Sequence, residues 1–169
     1  MWVSVDVEAD GPVPGLYSMI EIGAVAIMPG LTRTFGAKLA PISDQWQPEA
    51  LAVTGYTRAD TESFPDPKKS IMGFDSWLYT LPKDGRLIFL SDNAGFDWQF
   101  INYYFWKFLG RNPFGHSSNN LRNIYNGMKM SSFESFRGLR DTPHTHDPVD
   151  DAMGNAQAFQ KMLEMGYKI

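Results

Sequence analysis

The chain has 169 residues, of which 43% are hydrophobic and 14% aromatic, and it contains no cysteine. That length suits one domain with a sizeable core, and the missing cysteines exclude disulfides, thiolate metal sites and a cysteine nucleophile. A net charge of −4 argues against the broadly basic surface that grips long nucleic acid nonspecifically, and no apolar run approaches the length of a membrane span, so no membrane partner is expected.

Trp2 to Val7 alternates. Val3, Val5 and Val7 fall on one side of a strand; Trp2, Ser4, Asp6 and Glu8 fall on the other. This strand pattern at the start leaves no export signal to expect, and the expected location is the cytoplasm. Gly11, Pro12, Pro14 and Gly15 mark a turn. Ile20 to Ile27 reads as a central strand and Phe35 to Pro41 as a shorter third one, giving an antiparallel meander. Pro48 to Thr54 reads as a short helix closed by Gly55, and Pro67 to Leu81 as a longer one.

Arg86 to Ser91 is a nearly continuous apolar run, which suits a strand buried on both faces beside a parallel neighbour. Phe96 to Leu109 follows as a helix whose stripe Asp97, Ile101, Tyr104 and Phe108 has helical spacing. Asn119 to Met130 is a further helix candidate. Pro148 to Gly166 is the last helix, packing through Ala152, Ala156, Phe159 and Leu163. The order describes one α/β domain with a mixed sheet. Lys68-Lys69 and the Arg137 to Arg140 stretch could face a substrate, although a solvated face is the better reading for each. Phe96, Tyr103, Tyr104, Phe105, Trp106 and Phe108 read mostly as core; Tyr56 or Phe114 could stack on a terminal base, although core is the better reading for each.

Asp6 and Glu8, two apart on a strand, point to the same side. Read alone, the pair is equally an exposed strand end with two solvated acids. Asp97 lies in the first turn of its helix, where acids are favoured by the dipole, but its place on the apolar stripe turns it inward. The segment before it leaves the C-terminal end of a buried strand, where α/β proteins place ligands. At the last helix, Asp147 suits the N-cap, Pro148 the first helical position, and Asp150 the third, as in a capping box. His146 and Asp151 then occupy the two positions that touch in a hydrophobic staple and should stand side by side. His144 reads as an exposed loop histidine. Carboxylates that converge need cations between them, and a histidine beside them suggests chemistry.

Asp6-Val7-Glu8, Asn93-Ala94-Gly95-Phe96-Asp97 and the His146 to Asp151 segment, in that order, resemble the three motifs of the DEDDh branch of the 3′-5′ exonuclease superfamily, whose members include ribonuclease T, oligoribonuclease and polymerase proofreading subunits. Val53-Thr54-Gly55-Tyr56 resembles the family's Thr-Gly segment at the terminal-nucleotide pocket. Ala9-Asp10-Gly11-Pro12 departs from the pattern by its acidity. The resemblance implies a ribonuclease-H-like α/β fold, a five-stranded mixed sheet flanked by helices. It implies two divalent cations, Mg2+ or Mn2+, since hard oxygen donors suit these ions and two cations can clamp both sides of an in-line phosphoryl displacement. Asp6 would bridge, Glu8 and Asp151 would hold the cation carrying the attacking water, Asp97 would support the second, and His146 would be the general base. Thr54, Gly55, Tyr56, Asn93 and Phe96 would contact substrate. The expected partner is a single-stranded 3′ end, with RNA or short oligonucleotides favoured and nucleoside 5′-monophosphates released; relatives often form homodimers. Two alternatives keep the fold: a nucleic-acid-binding domain without activity, and a phosphodiesterase of small nucleotides.

Overall fold

A computed structural model describes residues 1–82 and 85–169. Its centre is a five-stranded sheet of order β3-β2-β1-β4-β5. The strands are β1 (Trp2–Ala9), β2 (Met19–Ala26), β3 (Thr34–Lys38), β4 (Ile88–Ser91) and β5 (Ser118–Asn120). β1, β2 and β3 form the expected antiparallel meander, and β1, β4 and β5 run parallel. The sheet is therefore mixed.

The helices are α1 (Pro48–Thr54), α2 (Arg58–Glu62), α3 (Pro67–Tyr79), α4 (Ala94–Leu109), α5 (Leu121–Lys129) and α6 (Pro148–Glu164). The valines of β1 pack with Ile71 and Phe74 of α3 and with Phe100, Ile101, Tyr104 and Phe105 of α4. Val3 and Val5 are fully buried, each worth about 1.5–3 kcal/mol. The other face of the sheet packs α5 and α6, with the Trp2 ring tilted against that of Phe159 at a centroid distance of 4.7 Å. Strand parity in β1 thus assigns each face its own pair of helices. Gly55 closes α1 in the left-handed region, φ 77°, with its N–H on the Leu51 carbonyl at 3.1 Å.

Some expectations fail. Asn119 and Asn120 belong to β5, not to a helix, and α5 starts at Leu121 with Asn120 as its cap, its side chain accepting from Asn123 N. Three polar residues carry no strand signal; β5 is held by its parallel pairing with β4. The short α2, built on a Thr57–Asp60 capping box, had no apolar period to reveal it. Trp106, read as core, is 51% exposed, whereas Phe114 is core as preferred, against Phe74, Phe89 and Phe105. Among the described residues, no helix is long and apolar enough to cross a membrane.

Candidate active site

β1 and β4 are parallel neighbours, so their C-terminal ends open on the same crevice. Asp6 and Glu8 leave β1 there, and Asp92 follows the last residue of β4. α4 and α6 lie on opposite faces of the sheet and begin at this edge, bringing Asp97 and Asp151 in their first turns. Gly23 makes the approach of α6 possible. It pairs with Asp6 in the sheet, and a Cβ there would overlap the Pro148 carbonyl and the Val149 nitrogen. On β3, a Cβ at Gly36 would press on Val149 at 2.8 Å. Two paired glycines thus form the bed on which the start of α6 rests.

The carboxylates converge. Ligand atoms of Asp6, Glu8 and Asp151 lie within 4.8 Å of one another, and so do those of Asp6, Asp92 and Asp97. Asp6 is common to both groups. Asp6, Asp97 and Asp151 are buried and Glu8 is half-buried. Asp97 accepts the Val7 N–H at 3.2 Å, which fixes the α4 carboxylate to the strand. The stripe position that turned Asp97 inward therefore has its expected consequence.

Burial and mutual repulsion act in one direction. Desolvation first, then the charges of Asp97 and Asp151, push the Asp6 carboxyl well above its usual range. Glu8 is raised to about 8 by desolvation and by Asp151. Asp97 is raised to about 8 by desolvation and by Asp92. Among the described residues, the one arginine in ion-pair reach of this cluster is Arg140, 3.7 Å from Asp151 and 3.8 Å from Asp92. Its buried guanidinium also donates to Asn155 Oδ1. A single guanidinium under-compensates so many acids, and the donors of the two groups that share Asp6 are all hard carboxylate oxygens; His144, His146 and Asp151 form a third group at their edge. The set fits Mg2+ or Mn2+.

The α6 entry differs in part from its expected form. Asp147 is the N-cap, accepting from Val149 N at 2.9 Å and Asp150 N at 3.2 Å. The capping box is not closed, because the Asp147 N–H is taken by Thr145 Oγ1 and the Asp150 carboxylate meets the Thr145 hydroxyl instead. His146 has a left-handed backbone, φ 61°. Its N–H donates to Asp151 Oδ2 at 3.1 Å, while its imidazole Nδ1 lies 3.6 Å from Glu8 Oε1. The imidazole beside Asp151 is that of His144, with Nδ1 2.7 Å from Oδ1. The two rings meet edge to face at 4.4 Å. The staple pairing of His146 with Asp151 thus runs through the backbone, and His144 is a site neighbour rather than a bystander. Two histidines in an irregular loop have no period by which to tell them apart.

Among the substrate-contact candidates, Tyr56 donates its hydroxyl to Glu21 at 2.9 Å, and Glu21 stands opposite Glu8 in the β1–β2 register. This places the Thr54-Gly55-Tyr56 segment beside the crevice. The Tyr56 ring abuts Phe64 and lies under Lys38, 4.6 Å from its Nζ. Thr54 Oγ1 is bonded to the Leu51 carbonyl. Asn93 is exposed at the start of α4, and Phe96 is half-buried against Phe100. The acidic Asp10 is buried, accepting from Ser18 N and Arg58 Nη1, so its role is to brace α2 against the turn. Sequence reasoning missed Asp92, Arg140 and His144; only Asp92, next to a recognised motif, offered a local signal.

The sequence model of an exonuclease family, that of ribonuclease T, matches residues 3–159. The 3′-5′ DNA exonuclease Cap18 of Escherichia coli is 36% identical over 179 residues, covering 99% of this chain and 94% of that protein. The nuclease domain of 3′hExo, a DEDDh family member solved bound to rAMP, superposes with a TM-score of 0.75 at 20% identity, covering 98% of this chain and 92% of that one. The E. coli ExoI–ssDNA complex superposes with a TM-score of 0.73 at 18% identity, covering 97% and 40%. Both structures share the fold.

Proposed function

Because the chain belongs to the exonuclease family of ribonuclease T, within the DEDDh 3′-5′ superfamily, we propose that it is a divalent-metal-dependent enzyme that removes nucleotides one at a time from single-stranded 3′ ends. The observation that carries this reading is the pair of carboxylate groups sharing Asp6. Residues 3–159, nearly the whole chain, fall within the family, so we treat the chain as one exonuclease domain.

Asp6, Glu8 and Asp151 would hold one cation; Asp6, Asp97 and Asp92 would hold the other. Bound there, the cations supply an activated water and charge stabilisation at the leaving oxygen. The chain's own groups do the rest. The Glu8 carboxylate faces His146 Nδ1, which favours the proton on that nitrogen and leaves Nε2 as the acceptor. His146 Nε2 then takes a proton from the attacking water as the oxygen bonds to phosphorus. The P–O3′ bond breaks, and the departing 3′-oxygen takes a proton from solvent water as the nucleoside 5′-monophosphate is freed. His144 holds the Asp151 carboxylate from the loop side. Tyr56, tied to Glu21, and the exposed Asn93 would contact the terminal nucleotide, with Thr54, Gly55 and Phe96 shaping its surroundings.

DNA is the polymer proposed, because the relative of 36% identity over nearly all of both chains is a DNA exonuclease. RNA or short oligonucleotides form the second reading, favoured by the net charge of −4, which suits short ends better than long tracts. Matched DNA and RNA strands, single-stranded and duplex, digested side by side with Mg2+ or Mn2+, separate the readings. The His146→Ala protein serves as the control, with at least a hundredfold loss expected. Preferential shortening of single-stranded DNA supports the first reading, preference for RNA the second, and turnover of dinucleotides alone would leave a small-nucleotide phosphodiesterase.

A further inference from the structure

The connection between α5 and α6 carries a surface that the hydrolytic site does not use. Asn126 of α5 pins it from one side, donating through Nδ2 to the Ser132 carbonyl and accepting the Glu134 N–H at Oδ1. Phe136 anchors it from the other, buried in the cluster of α5 and α6. Between these two fixings Phe133 is presented to solvent, 96% exposed. The hydrogen-bonded segment thus leaves the face of this ring open to a ligand.

Phe133 lines a cleft of about 340 Å³ with Arg122, Arg137 and Glu134. Arg137 also lines a second cleft of about 280 Å³, which ends at His144. His144 in turn touches Asp151 in the site. Arg137 is common to both linings, so the residues that line them lead from Phe133 by way of Arg137 to His144, the neighbour of Asp151. Among the described residues, Arg122 and Arg137 have no carboxylate in ion-pair reach. In a chain of net charge −4, a cleft lined by two such guanidinium groups and one acid, Glu134, has a local excess of positive charge beside the exposed ring. Arginines matched to phosphates and an aromatic face matched to a base are the two components of single-strand recognition.

We propose that Arg122, Phe133 and Arg137 form a second binding site for the single strand, taking nucleotides on the 5′ side of the 3′ end that lies in the active site. The proposal rests on the exonuclease reading above. It takes up, for Arg137, the substrate-facing alternative that the sequence left second to a solvated face.

The test uses the intact protein and 5′-labelled oligodeoxynucleotides with phosphorothioate linkages, from 2 to 20 nucleotides long, with binding read by fluorescence anisotropy. The Arg122→Glu/Arg137→Glu protein should bind the 20-mer at least tenfold more weakly while its affinity for the dinucleotide shifts less than twofold. Two lost phosphate contacts should also shrink the log–log salt slope for the 20-mer by about 1.4. Phe133→Ala, a neutral change, should weaken the 20-mer about tenfold with the salt slope retained. Equal weakening at every length, or no weakening at 20 nucleotides, would overturn the proposal. Wild-type digestion of unmodified 20-mer and dinucleotide in the same series keeps the two readings apart: failure of the wild type to shorten either strikes the exonuclease reading, whereas normal shortening with unchanged variant binding strikes the second site alone.

Discussion

Gly23 lies directly under Pro148, so that the space of a Cβ on the strand residue is filled by the peptide at the start of α6. This contact sets the height of the helix over the sheet, and hence whether Asp151 reaches Asp6, the sheet partner of Gly23. Gly23→Ala should cost about 1–3 kcal/mol by overpacking and should also weaken cation binding, because α6 must lift. Thermal unfolding and Mn2+ titration calorimetry read the two effects. A destabilised protein with wild-type Mn2+ affinity would separate the glycine from the site.

The raised carboxyls give the metal-free protein a defined pH dependence. Glu8 and Asp97 titrate at about 8 in the folded chain and near 4 when unfolded. Between these values the folded state binds more protons than the unfolded one, so stability falls as pH rises. The contribution is fully present below about pH 4 and lost on passing pH 8. In EDTA the unfolding temperature should drop from pH 5 to pH 8, and added Mg2+ should raise it more at pH 8 than at pH 5. A metal-free protein that gains stability across that window would contradict the electrostatics described.

Arg140 is the internal counter-charge for Asp92 and Asp151. Arg140→Met removes one partner from a buried charge network, which costs about 3–5 kcal/mol. A bound cation replaces part of the lost positive charge, so Mg2+ should stabilise the variant more than the wild type. Arg140→Lys should recover part of the metal-free stability. Differential scanning calorimetry with and without Mg2+ reads both, and equal metal gains in the two proteins would remove Arg140 from the electrostatics of the site.

The two histidines divide their roles by partner. His146→Ala should lower kcat about 10²–10⁴-fold, the usual worth of a general base, with KM little changed. His144→Ala should act through Asp151 and appear chiefly as a higher requirement for Mg2+. Steady-state kinetics over a Mg2+ series distinguishes them, and a larger kcat loss at His144 would reverse the assignment.

Much of this was legible in the sequence because it is periodic. Alternation in β1 placed Val3, Val5 and Val7 in one core and Asp6 with Glu8 toward the other face, and helical spacing turned Asp97 inward. The cap at Asp147 and Pro148 fixed where α6 starts. What escaped has no period. His144 and His146 lie two apart in a loop, and the left-handed backbone at His146 decides which imidazole meets which carboxylate. Arg140 reaches its acids across the fold, and β5 exists only through its pairing with β4.

The central claim is that Asp6, shared by two carboxylate groups, organises cations for stepwise hydrolysis from a 3′ end. Gel analysis of a 5′-labelled single-stranded oligodeoxynucleotide, incubated with wild type and with Asp6→Asn in Mg2+ or Mn2+, tests it most directly. The account predicts a ladder shortening from the 3′ end for the wild type, its abolition by EDTA, and at least a thousandfold loss in Asp6→Asn despite a folded protein. A folded wild type inert with both metals, or an Asp6→Asn protein as active as wild type, would contradict it.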